Sequence, residues 1–122
     1  MERSAALLLY EKVVSQLPGI ERKGDTMPYT SLNGHMFSAL HKDGSVALRL
    51  PPVDREKFLN KYKATLASHY GVVQPEYVVV PDALLAKTAE LRRFFEISRE
   101  YVVSLKPKAS TKRAAAAKKK ST

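Results

Sequence analysis

The sequence predicts a two-layer α+β domain: an antiparallel β-sheet, made of a three-stranded meander plus at least one further strand, with helices packed on one face. Three observations predict it. Apolar stripes at helical spacing occur before residue 18, across 54–66 and across 88–105. Between the first two stripes, the turn dipeptides Asn33-Gly34 and Asp43-Gly44 punctuate a stretch with strand-like period. Residues 76–80 (EYVVV) then form a β-branched run between Pro75 and Pro81. At 122 residues and 44% hydrophobic composition, the chain can bury one core.

The first helix follows from Ala6, Leu9, Tyr10, Val13 and Leu17, which share one stripe from near Ser4 to the stop at Pro18-Gly19. Residues 20–26 are charged, contain Gly24 and read as a connection. If both turn dipeptides are two-residue loops, counting sets the register: Leu32 opposes His35, Thr30 opposes Phe37, Lys42 opposes Ser45 and Ala39 opposes Leu48. The core face would then hold Thr30, Leu32, Phe37, Ala39, Val46, Leu48 and Leu50. Tyr29, Ser31, Met36, Ser38, Leu40, Ala47 and Arg49 would form a mixed outer face.

Pro51-Pro52 ends the third strand, because neither residue can donate to a ladder. Asp54 is a candidate cap for the next helix, whose stripe is Phe58, Leu59, Tyr62 and Leu66. Residues 67–75 give no clear pattern. After the strand at 76–80, Asp82 caps a short helical turn through Leu85, and Thr88 opens a helix with the stripe Leu91, Phe94, Phe95, Ser98, Tyr101, Val102 and Leu105.

The stretch 27–50 (MPYTSLNGHMFSALHKDGSVALRL), with Asp54-Arg55 and EYVVVP after it, resembles the N-terminal domain of the competence regulator TfoX, and more loosely the MmcQ/YjbR-like group. The likeness covers roughly residues 20–106. It implies a two-layer α+β domain of bacterial setting, with no family catalytic residues to carry over.

The absence of cysteine excludes structural disulfides and thiolate chemistry. The longest early apolar run, residues 5–10, is too short for a signal-peptide core or a membrane span, so a cytoplasmic protein with no membrane partner is the expectation. His35, His41 and His69 are the only histidines. His35 and His41 lie about 20 Å apart along a strand and cannot share a metal ion. Neither a Gly-x-Ser-x-Gly elbow nor a phosphate-cradling Gly-rich loop occurs, so no catalytic residue, metal or cofactor is assigned.

Charge is the strongest functional signal. Lys106, Lys108, Lys112, Arg113, Lys118, Lys119 and Lys120 lie in residues 106–122 without a single carboxylate, whereas residues 1–105 hold fourteen Lys and Arg against twelve Asp and Glu, a net +2. The domain reading is therefore a body of 1–105 and a disordered Lys/Ala-rich tail of 106–122. Such a tail suits sequence-independent association with DNA or RNA, the alternative being a solubilising appendage. Arg92 and Arg99 share one side of the last helix and would extend its field, unless they form a plain solvated face. Tyr29, Met36, Leu40 and Arg49 on the mixed sheet face suggest a protein-partner or homodimer surface, or a face the last helix covers. The first expectation is a non-enzymatic regulatory or interaction domain; the alternative is a small-ligand- or protein-binding domain in which the tail is incidental.

Overall fold

The computed structural model of the chain describes residues 2–107. Its elements run α1 (Arg3–Ser15), β1 (Tyr29–Leu32), β2 (His35–Leu40), β3 (Val46–Arg49), α2 (Pro52–Tyr62), β4 (Leu66–His69), β5 (Val72–Val80), α3 (Asp82–Leu85) and α4 (Thr88–Ser104). The strands form one antiparallel sheet in the order β1-β2-β3-β5-β4, and the helices cover one face. The two-layer α+β class expected from the sequence is thus the observed one.

The helix-side core joins Tyr10 and Val13 of α1, Phe58 of α2 and Leu91, Phe95 and Val102 of α4 to Phe37, Leu48 and Val78 of the sheet, all essentially inaccessible. Aromatic contacts tie α2 to α4: Phe58 meets Phe94 edge-on at 5.0 Å, and Tyr62 lies 5.7 Å from Phe94. The expected helices all form. Asp54 does not cap α2, however; Pro51 occupies that position in extended conformation, and Asp54 sits in the first turn, where its charge complements the helix dipole.

The first hairpin follows the sequence rule. Asn33 and Gly34 both adopt positive φ, 57° and 79°, and Leu32 opposes His35. The expected pairing breaks one step further, because Thr30 opposes Ser38 and Ser31 opposes Met36, leaving Phe37 as an extra, bulged residue. A bulge lets Phe37 and Ser38 both face the helices, and both are fully buried. The Ser98 hydroxyl of α4 donates to the Phe37 carbonyl at 3.3 Å.

The second turn also corrects the register. Asp43 keeps a negative φ while Gly44 takes 88°, and His41 rather than Lys42 opposes Ser45, its amide donating to the Ser45 carbonyl at 2.8 Å. The reason is local: the Asp43 carboxylate accepts from the Ser45 amide at 3.0 Å and from its hydroxyl at 2.7 Å, which favours a three-residue loop closed by glycine. Ala39 consequently opposes Ala47, not Leu48, and Leu40 opposes Val46. Leu40 and Ser38 therefore belong to the helix-side layer, and Ala39 moves to the other face.

Ser38 joins a buried hydroxyl chain in that layer. The Tyr10 hydroxyl lies 2.7 Å from Ser38 Oγ, which lies 2.6 Å from Thr30 Oγ1. Burial pushes the Tyr10 hydroxyl up to about 12, against the opposing pull of Ser38, Thr30 and the Arg22 charge.

Residues 20–26 do more than connect. Lys23 pairs with Tyr29 through two backbone bonds of 2.8 and 2.9 Å, covering part of the outer edge of β1. Gly24 makes this approach feasible: its φ is 81°, and a Cβ there would stand 2.6 Å from the Met27 carbonyl oxygen.

Strand β4 fills the stretch that the sequence leaves blank. It turns at Tyr70-Gly71, both with positive φ, into β5, which begins at Val72 rather than at residue 76. Between the pairs Leu66 to Val78 and Ser68 to Val73, Ala67 alone faces the span of Gln74, Pro75, Glu76 and Tyr77. Such a mismatch bends the hairpin sharply. The His69 ring consequently meets the His41 ring at a centroid distance of 5.1 Å, although β4 and β2 stand three places apart in the sheet. The hairpin tip thus arches across the sheet face opposite the helices. Ala39, Ala47 and Ala67, all buried to 1% exposure or less, occupy this second, thinner layer.

Candidate functional site

Polar side chains gather at three places among the described residues: the end of α4, the Arg49 cluster and the cleft beneath the bent hairpin.

The end of α4 is fastened to the first hairpin. Asn33 Nδ2 donates to the carbonyls of Val102 at 3.0 Å and Leu105 at 2.8 Å, satisfying acceptors that a helix end leaves open. His35 Nε2 lies 2.8 Å from the Lys106 carbonyl. The start of the basic segment is therefore held at the β1–β2 turn, with the Lys106 side chain exposed. Lys108, Lys112, Arg113, Lys118, Lys119 and Lys120 lie outside the described residues.

Of the four residues expected to share a partner face, Leu40 is displaced from it. Leu40 is fully buried against the helices, a correction that follows from the bulge at Phe37 and the three-residue turn at Asp43. Tyr29 lies on the edge strand opposite Ala39, and the Met36 carbonyl accepts the Tyr77 hydroxyl at 2.8 Å. Arg49 is engaged rather than free. Its Nε donates to Glu76 Oε1 at 2.6 Å, its Nη2 reaches the same oxygen, and its guanidinium carbon lies 5.5 Å from the centre of the Tyr101 ring. The Tyr101 hydroxyl donates to the other Glu76 oxygen at 3.0 Å, and Arg55 stands 4.0 Å away.

Burial alone would raise the Glu76 carboxyl, but the bonds from Arg49 and Tyr101 and the charges of Arg49 and Arg55 outweigh it and hold the group below its ordinary range. Burial, with the Glu76 carboxylate, raises the Tyr101 hydroxyl. Beside the cluster lies a shallow groove of about 620 Å³, lined by Arg49, Val73, Gln74, Pro75, Glu76 and Tyr77. Exposed Tyr70, Val72 and Val73 continue it along the hairpin.

The cleft beneath the hairpin measures about 190 Å³ and is lined by Met27, His41, Lys42, Asp43, Ser68, His69 and Tyr70. His41 is 7% exposed, and His69 makes a second ring contact with Tyr70 at 4.2 Å. This pairing escapes sequence reading, since it depends on the bend opposite Ala67; only the Tyr70-Gly71 turn signal was local. Among the described residues, no three His, Cys, Asp or Glu side chains gather closely enough to hold a metal ion. None of the described helices is long and apolar enough to cross a membrane.

No family model, curated protein or solved structure matches the chain.

Proposed function

We propose that the chain is a non-enzymatic regulatory or interaction domain whose basic segment, residues 106–122, associates with DNA or RNA without reading sequence. One observation carries the reading: seven cations and no carboxylate follow a body of net +2, and they begin where Asn33 and His35 fix the backbone at the end of α4. Within the body, the Arg49 guanidinium is committed to Glu76. The resemblance of residues 27–50 to the TfoX N-terminal domain supports a regulatory role in a bacterial cytoplasm.

Seven cations displacing condensed counterions give a log-affinity slope against log salt of up to about 6 on duplex DNA. The test is fluorescence anisotropy with unrelated duplexes over a salt series, comparing the intact chain with a variant in which all seven are glutamine. Equal affinities across sequences, with the slope lost in the variant, are expected. Undiminished binding by the variant would overturn the reading.

A second reading, a protein-binding domain with the basic segment incidental, rests on the exposed Tyr70, Val72 and Val73 beside the Arg49 groove.

A further inference from the structure

We propose that the His41–His69 contact is a proton-sensitive latch, which keeps the β4–β5 hairpin folded over the sheet near neutral pH and releases it on acidification. The geometry carries this. The hairpin tip crosses the open face of the sheet and meets it through two imidazoles whose centres are 5.1 Å apart. Its other tip residues, Tyr70, Val72 and Val73, are 84%, 68% and 56% exposed, so they add little to hold it down. The mismatch opposite Ala67 supplies a bend about which the tip can move while β5 stays paired with β3 from Tyr77 to Val80.

The groups facing the pair set the sign. From the β2–β3 turn come Asp43 and Lys42; from the hairpin come His69 itself and Tyr70; Met27 and Ser68 complete the cleft without charge. Burial first, and then the charge that His69 can carry, lower His41 from its ordinary 6.5, while Asp43 pulls weakly the other way. Asp43 is already occupied by the Ser45 amide and hydroxyl. The closed state therefore binds fewer protons than an open one, in which both rings meet water, and acidification below the ordinary histidine value favours opening. A charge placed on His41 sits in a largely buried position against the His69 ring, whose centre is 5.1 Å away.

The test is hydrogen exchange read by mass spectrometry on the intact chain, from about pH 7.5 to about pH 5.5, corrected for the intrinsic rate. Protection of residues 66–73 should fall about tenfold on acidification, while α1 and α4 stay unchanged. His69→Gln and His41→Gln should both flatten the response; should the buried variant fail to fold, His69→Gln alone decides. The proposal is overturned by pH-independent protection in the wild type, by an undiminished response in His69→Gln, or by an equal loss in α1 and α4, which would mark global unfolding.

Discussion

Removing the Ser38 hydroxyl tests the corrected register and the buried polar chain together. Ser38 bridges Tyr10 and Thr30, and all three residues are fully buried. In Ser38→Ala both outer hydroxyls lose that partner, and no water reaches them cheaply. An unsatisfied buried hydroxyl costs about 1–3 kcal/mol, so the pair should cost about 2–6 kcal/mol. A domain of this size loses roughly 4–8 °C of Tm per kcal/mol, which puts the expected drop at roughly 8 °C or more. Urea unfolding followed by far-UV circular dichroism gives the free energy directly. A Tyr10→Phe, Thr30→Val, Ser38→Ala triple variant removes every member of the chain and should recover most of the loss. On the register counted from two-residue turns, Ser38 would sit on the mixed outer face, where Ala is worth within about 0.5 kcal/mol. A Ser38→Ala variant that close to wild type would refute both the bulge at Phe37 and the energetic role of the chain.

Two further outcomes follow from individual contacts. Asn33 supplies a positive φ and a capping amide at once, so Asn33→Gly should lose about 1 kcal/mol from the cap alone, and Asn33→Ala about 1 kcal/mol more from the left-handed backbone; an Ala variant as stable as the Gly variant in urea would contradict this. For Glu76, the folded carboxyl lies below its ordinary 4.5, so its contribution is complete above that value and is lost as pH falls through the folded one. Since the side chain is 36% exposed, Glu76→Gln should cost no more than about 1 kcal/mol at neutral pH. The two proteins should converge in stability once the pH has fallen below the folded value of the carboxyl; a gap that persists in that acid limit would show that the Arg49–Glu76 pair is not its source.

What was legible in the sequence was whatever depends on neighbours. The stripes of α1, α2 and α4, the Asn33-Gly34 turn and the β-branched run before Pro81 are local patterns, and each appears where its spacing places it except at Leu66, which leaves the α2 stripe for β4. Misreadings arose where one local signal overrode another. Asp43-Gly44 suits a two-residue turn by composition, but the Asp43 carboxylate captures Ser45 and lengthens the loop by one residue. That extra loop residue, together with the bulge at Phe37, moved Leu40 from a supposed partner surface into the core and brought Ala39 beside Ala47. Strand β4 was unreadable because Leu66 had the spacing of the α2 stripe, whereas Lys63 takes a left-handed φ of 51° and ends the helix. The histidine cleft depends on a bend created by four residues facing one, and no window of a few residues encodes that.

The amide of Asn33 reaches acceptors 69 and 72 positions downstream. During synthesis the first hairpin emerges from the ribosome long before its partner peptide exists, and that amide meets only solvent until residue 105 has cleared the exit tunnel. The sheet surface around Phe37 likewise waits for Leu91, Phe95 and Val102. The contacts of α4 are therefore the last of these to become available, and until then the sheet keeps an apolar surface open of the kind that favours aggregation.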